Sequence, residues 1–236
     1  MTGTSGFHPD IDMLRDFATG NLSTGISIAV SAHLELCTAC RERASELESQ
    51  AILDWMQKDS VEPAGRGDST PDFSDMVAEI VAQPQARQAP VRDSAVNEIH
   101  FLDHSATLPR ILAKAACDGL VWRKLAGGIN QASVRLDSET QCEFLYMKPG
   151  SQTPVHTHQG TEITLVLDGG FSDELGHYEV SDFVVRQGKH VHQPRSDEGC
   201  LCFAVLDSPL RFTQGLARLL NPIGRYQFRR ALSQSR

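Results

Sequence analysis

"GSQTPVHTHQGTEITLVLDG", residues 150–169, decides how the second half of this chain is read. His156 and His158 stand two positions apart, so on an extended strand both imidazoles point to the same side. Glu162 reaches that same interior once the strand has turned over. Two imidazoles and a carboxylate on one wall form a facial ligand set that suits zinc, iron(II), manganese or nickel. The bland alternative is a pair of surface histidines in a turn. The spacing argues against it, because Gly150 and Gly169 bracket the histidines and the glutamate at fixed distances.

Around this stretch the period of apolar residues is two. From about residue 119 the runs "VWRKLAGG", "ASVRLDSE", "QCEFLYMKPG", "TEITLVLDGG", "HYEVSDFVVRQG" and "GCLCFAVLDSPLRF" read as short strands. Turns carrying Gly, Pro, Asp or Ser separate them, which is the pattern of an all-β sandwich or barrel. The spacing Gly150-x5-His156-x-His158-x3-Glu162-x6-Gly169 resembles the first motif of the cupin family, and "SDFVVRQGKHVHQP" (181–194) resembles the second. That resemblance implies a double-stranded β-helix, or jelly-roll, barrel over residues 95–215. It also implies a fourth ligand from the second motif. His190 and His192 are both available, and His192 fits because "HQP" reproduces the family's approach to a proline. The implied cupin ligands are therefore His156, His158, Glu162 and His192, holding zinc or another divalent transition metal. Cys200 and Cys202 share a face of the next strand. They read first as small core residues, since free cysteine is among the most buried types, and second as oxidisable groups near the barrel metal.

The first third is helical. "DIDMLRDFAT" reads as a short helix closed by Gly20, and Ser23 is placed to cap a second helix with Ile26, Val30 and Leu34 on one stripe. "CRERASELESQAILDWMQK" carries Leu47, Ile52, Trp55 and Met56 among charged residues, and "FSDMVAEIVAQ" sets Phe73, Met76, Val77 and Ile80 on one side. Residues 59–72 and 84–94 are rich in Pro, Gly, Ser and charge; the second stretch reads as an interdomain linker.

Within the helices, "HLELCTAC" (33–40) puts His33, Cys37 and Cys40 at i, i+4 and i+7. On one helix all three share a face, and if the chain turns at the pair, CxxC still brings two thiolates to one ion. Zinc takes four ligands in a tetrahedron, commonly thiolate and imidazole. His8, just before the first helix, is the natural fourth. Two other readings stay open from spacing alone: a redox dithiol, which lacks the βαβ context such pairs need, and three unconnected core residues.

Bulk properties bound the rest. A chain of 236 residues suits two domains, and 40% hydrophobic with 22% charged residues suits soluble globular material. No apolar run approaches the roughly 20 residues of a membrane helix, and the N-terminus lacks the pattern of a secretory signal. The cytoplasm is the expected compartment, where the six cysteines stay reduced. The net charge of −8 is uneven. Residues 1–62 carry ten acidic side chains against four basic ones, which repels nucleic acid and favours a basic protein. Residues 216–236 read as a basic tail, with Arg218, Arg225, Arg229, Arg230 and Arg236 and no acid.

"HPDIDMLRDFATGNLSTGISIAVSAHLELCTACRE" resembles the zinc-binding anti-sigma domain of ChrR-type regulators, over roughly residues 7–58. The family often has Pro inside the cysteine pair where this chain has Thr38-Ala39, a departure that touches helix-start geometry and not ligation. Carried over by position, the resemblance implies zinc on His8, His33, Cys37 and Cys40 within a helical unit over residues 1–83. ChrR-type proteins join such a unit to a cupin in this order. The fold class expected is therefore multi-domain, α then β. The function implied is an anti-sigma factor that sequesters an extracytoplasmic-function sigma factor in a 1:1 complex, does not itself touch nucleic acid or membrane, and releases its partner on singlet oxygen or organic hydroperoxide. The alternative, suggested by the barrel alone, is a metal-dependent dioxygenase or isomerase.

Overall fold

A computed structural model describes residues 6–58, 73–83, 97–188 and 190–233. The stretches expected as a loop (59–72) and as a linker (84–94) lie outside the described residues, as does Arg236.

Asp10 starts the first helix, α1 (Ile11–Ala18), by accepting the Met13 N–H at 2.8 Å, and Gly20 leaves it with φ +73°. The second helix, α2 (Thr24–Leu36), is the hub of the molecule. It packs against α1, against α3 (Thr38–Lys58), against α5 (Arg110–Ala115) and against two barrel strands. Its buried face is Gly25, Ala29, Val30, Ala32 and His33, smaller than the expected stripe because the helix lies hard on the barrel. Ser23 does not cap it: its hydroxyl is buried without a hydrogen bond among the described residues. The Gly25 N–H is taken instead by Asp137 of the barrel, at 2.6 Å. Burial alone would raise the Asp137 carboxyl, but the N–H groups of Gly25, Thr140 and Glu139 hold it below its ordinary value. Glu35 returns the arrangement at the other end of α2, accepting the Arg110 and Ile111 N–H groups at 2.9 and 3.3 Å and so capping α5, whose Pro109 has no side chain to offer. The nine-residue α4 (Ser74–Ala82) buries none of its side chains.

The β unit opens with a hairpin and α5 that the alternation pattern did not reveal, β1 (Glu98–Phe101) and β2 (His104–Thr107). Then follow β3 (Arg123–Lys124), β4 (Ile129–Val134), β5 (Gln141–Met147), β6 (Ser151–Gln152), β7 (His156–Thr157), β8 (Thr161–Asp173), β9 (Gly176–Glu179), β10 (Phe183–Gln187), β11 (Val191–His192), β12 (Arg195–Ser196), β13 (Cys200–Leu206) and β14 (Arg211–Phe212). All pairs are antiparallel. One sheet runs β3-β4-β5-β13-β8-β12-β6, with β9 and β10 also on β8, and a small sheet runs β11-β7-β14. The molecule is thus helices followed by a curled antiparallel cupin barrel, as expected. From residue 216 the basic stretch forms a 3-10 turn and then α6 (Asn221–Ser233), whose Phe228 is buried with Ala204 and Leu206 of β13.

Helices and barrel share one hydrophobic cluster. Leu14, Val30, Ala44 and Leu47 from the helices join Leu112 of α5 and Phe144, Leu165, Leu201 and Phe203 of the barrel. Gly25 marks the closest approach, because a Cβ there would stand 2.2 Å from Thr140 Oγ1 and 2.6 Å from Cys142 Sγ. Gly25→Val is therefore expected to destabilise the protein by about 1–3 kcal/mol, the usual cost of overpacking. Urea unfolding followed separately by helix and barrel probes checks this, and an unshifted midpoint would show that the contact is not tight.

Candidate metal centres

The chain turns at the cysteine pair. His33 sits in the last turn of α2, Cys37 is the extended residue between helices and Cys40 lies in the first turn of α3. His8 arrives on the segment just before α1. Its Nδ1 lies 3.6 Å from Cys37 Sγ, 3.5 Å from Cys40 Sγ and 3.5 Å from His33 Nε2. Bonds of about 2.3 Å to sulfur and 2.0–2.1 Å to nitrogen around a tetrahedral zinc would put such donors roughly 3.5 Å apart. The four candidate donor atoms all lie within 4.8 Å of one another. His33 is fully buried, and its Nδ1–H donates to the Ser181 carbonyl at 2.9 Å, which turns the Nε2 lone pair toward the cysteines. Burial pushes the His33 imidazole down to about 4, so it is neutral and a competent ligand at pH 7. Burial and the neighbouring Cys37 push the Cys40 thiol up to about 12. A divalent cation supplies the opposite charge that two adjacent thiolates need, so the donor set fits a structural zinc.

The second cluster lies inside the barrel. His156 on β7 faces its register partner His192 on β11, His158 follows in the turn, and Glu162 is the second residue of β8. His156, His158, Glu162 and His192 are all buried, and their ligand atoms also lie within 4.8 Å of one another. His158 Nε2 stands 2.9 Å from Glu162 Oε2 and 2.9 Å from His192 Nε2. Donors at right angles on bonds of about 2.1 Å would be roughly 3.0 Å apart, the edge of a facial octahedral set. His156 Nδ1 donates to the Pro154 carbonyl at 2.8 Å and His192 Nδ1 faces Asp173 Oδ2 at 3.3 Å, so both turn Nε2 inward. His158 Nδ1 has no hydrogen-bond partner among the described residues. Burial lowers His156 to about 4 and lowers His192 as well. The Glu162 carboxyl is held below its usual range: burial would raise it, but the His158 hydrogen bond and the three imidazoles outweigh that. The residues fit a divalent transition metal. His190, the other candidate of the second motif, is exposed and outside the cluster.

A cavity of about 330 Å³ opens from this cluster, walled by Leu125, Ile129, Met147, Phe171, Val184 and Phe212 and reached by His156, Glu162 and His192. Cys202 lines it, with its sulfur 3.2 Å from that of buried Cys200. The contact with Cys200, together with burial, holds the Cys202 thiol well above its ordinary range. The supporting residues Asp173 and Ser181 were missed at the sequence level. They act through the ligands, and no ligand spacing marks them.

Two measurements test these centres. Cys37→Ser or Cys40→Ser is expected to remove one equivalent of zinc and to loosen α1–α3, because binding energy at such sites is folding energy; a full metal complement by elemental analysis would contradict it. The chelator-stripped protein should lose stability as pH falls. His33 and His156 keep folded values of about 4 against 6.5 when unfolded, so the unfolded chain binds more protons between those limits. Glu143, pushed up to about 7 by burial, works in the opposite sense between 4.5 and 7. Glu143→Gln should therefore steepen the loss of urea midpoint from pH 6.5 to 4, and a flat profile in both proteins would refute the assignment.

Comparison with known proteins agrees with this architecture. A family model described as the ChrR cupin-like domain matches residues 113–208. The anti-sigma-E factor ChrR of Cereibacter sphaeroides is 31% identical over 221 residues, covering 92% of this chain and 97% of that protein. The crystal structure of Rhodobacter sphaeroides SigE in complex with the anti-sigma ChrR matches with a TM-score of 0.63 at 26% identity, over 85% of this chain and 98% of that one. The chain belongs to the ChrR family of anti-sigma factors.

Proposed function

We propose that this protein binds an extracytoplasmic-function sigma factor one to one in the cytoplasm, keeps it from RNA polymerase, and lets it go when the barrel meets singlet oxygen or an organic hydroperoxide. The observation that carries the reading is the uncovered apolar surface of two helices. Ile52, Leu53, Trp55 and Met56 of α3 and Met76, Val77, Ile80 and Val81 of α4 are all more than half exposed. Isolated helices shorter than about 12–15 residues are marginal in water, so a nine-residue helix with this face needs a partner to cover it. The acidic balance of residues 1–62 suits a basic partner. The relative that matches over nearly the whole chain is named an anti-sigma factor, and the matching crystal structure holds one bound to a sigma factor. The dioxygenase or isomerase alternative loses ground on the same evidence, since the family is one of regulators and not of enzymes.

The two centres take different parts in this reading. His8, His33, Cys37 and Cys40 would hold zinc with four protein ligands, a closed site that joins α1, α2 and α3 and so presents the apolar face. His156, His158, Glu162 and His192 would hold the second metal, which when bound supplies a Lewis-acidic centre at the wall of the cavity. The apolar walls admit a small, largely apolar oxidant and limit water there. No described helix is long and apolar enough to cross a membrane.

Val77→Asp with Ile80→Asp is expected to weaken sigma binding at least thirty-fold, about 2 kcal/mol, with metal content unchanged. Binding at natural affinity would refute the assigned surface. His156→Ala with Glu162→Ala should give an inhibitor that stays bound whether or not singlet oxygen is present. Reporter transcription from a sigma-dependent promoter reads this out, and normal induction would rule out the barrel metal as the sensor.

A further inference from the structure

The stretch from the end of β8 through β9 and β10 touches both clusters; β9 and β10 follow one another back along β8, with a break at residues 180–182. At the β8–β9 turn the Asp173 side chain is buried. Its Oδ2 faces His192 Nδ1 at 3.3 Å and accepts from Arg186 Nη2 at 2.9 Å; its Oδ1 accepts the Tyr178 hydroxyl at 2.9 Å and the Leu175 N–H at 2.8 Å. Arg186 also donates to the Tyr178 hydroxyl and lies over the Tyr178 ring, 5.3 Å from its centre. Tyr178, fully buried, sets its ring 4.8 Å from that of Phe7. Phe7 is tied to the break between β9 and β10: its N–H donates to Asp182 Oδ1 at 3.1 Å and its carbonyl accepts the Phe183 N–H at 2.7 Å. The next residue is His8. The break also supplies the Ser181 carbonyl to His33, from a backbone held at φ +78°, a conformation that side-chain-bearing residues adopt rarely and at a cost. Gly176, the register partner of Asp173, lies five residues from Ser181, roughly 15 Å along extended chain.

We propose that this stretch couples the two metal centres, with Asp173 and Tyr178 as positioning residues that convey the state of His192 to the segment carrying His8. The inference rests on the reading that both clusters hold metal. When His192 Nε2 is bound to a cation, the imidazole is fixed and Nδ1–H is committed to Asp173, which in turn fixes the Tyr178 hydroxyl and the ring against Phe7. When His192 is released, its ring can turn, Asp173 loses one of its partners, and the Tyr178–Phe7 contact that steadies His8 is loosened. His8 and His33 then hold their cation less tightly. The barrel would thus reach the partner-binding helices through the one centre that joins α1, α2 and α3. The path runs along bonded and packed groups, and the two-state element is the Asp173–Tyr178–Phe7 contact.

The test uses the full chain with cobalt(II) as the probe, because cobalt–thiolate absorption reports the Cys37–Cys40 centre alone. Cobalt affinity at that centre is measured by chelator competition in four proteins: the natural chain, His156→Ala with Glu162→Gln to empty the barrel, Tyr178→Phe, and all three changes together. Emptying the barrel is expected to weaken cobalt binding at the cysteines at least about fivefold, the low end of measured coupling between sites. With Tyr178→Phe, which keeps the ring and removes the hydroxyl, affinity should be the same whether or not the barrel ligands are present. A merely structural role for Tyr178 would lower both affinities and leave their ratio intact, and that result overturns the proposal. Asp173→Asn, run in the same cycle, should give the same loss of coupling; undiminished coupling there also overturns it. Absence of any cobalt–thiolate absorption in the natural chain would sink the metal reading itself and the relay with it, whereas normal absorption without coupling sinks the relay alone.

Discussion

The hydrogen bond from His33 Nδ1 to the Ser181 carbonyl, 2.9 Å long, joins a helix of the first unit to a turn of the second. It sets the tautomer that lets His33 offer Nε2 to the cysteines, and it demands that α2 lie directly on the barrel. Because His33 is fully buried, losing the bond would strand a polar group at a cost of about 1–3 kcal/mol. The small residues of α2 follow from that demand. Gly25, Ala29 and Ala32 let the helix approach β8 and β13, and Asp137 and Glu35 exchange caps between the units. The ligand centre, the packing and the caps all depend on one placement of one helix.

That placement changes how the two centres relate. A helical zinc unit and a sensing barrel joined only through a linker would communicate by reorienting as two bodies. Here the described residues form a common hydrophobic cluster, and the segment bearing His8 is hydrogen-bonded to the barrel at Asp182 and Phe183. A change at the barrel wall has a short path into the helices. The exposed apolar residues of α3 lie on the helix that starts at the same cysteine pair. Such an arrangement suits a regulator, in which a small chemical event must alter a protein–protein contact.

Both side-chain clusters were legible in the sequence because most of their members lie close along the chain at spacings that suit one metal ion. His156, His158 and Glu162 obey the period of a strand and its turn; His33, Cys37 and Cys40 obey that of a helix end. Of the long-range members, His8 was offered by its place just before the first helix and His192 needed a family resemblance; the structure brings both into reach. What escaped was everything conveyed across the chain. Asp137 replaces Ser23 as the partner of the α2 N-terminus, and nothing local to Ser23 announces an acid 114 positions downstream. The run "VWRKLAGG" pairs only at Arg123–Lys124, since its glycines adopt positive φ and turn the chain. The β1–β2 hairpin and α5 are short and are held by tertiary contacts, including the Glu35 cap, more than by pattern. Cupin-like alternation was strong where strands are long, as in the thirteen residues of β8, and weak where they are two residues long.

Two occupied metal centres in one chain that holds one sigma factor can be tested in a single preparation. The most direct measurement is co-purification of the full chain with a cognate extracytoplasmic-function sigma factor, followed by mass determination of the complex and elemental analysis. The expected result is a 1:1 complex with one metal at the cysteine centre and one in the barrel. A chain that carries both metals yet elutes free of the sigma factor, or a complex that forms equally well without any metal, would contradict it.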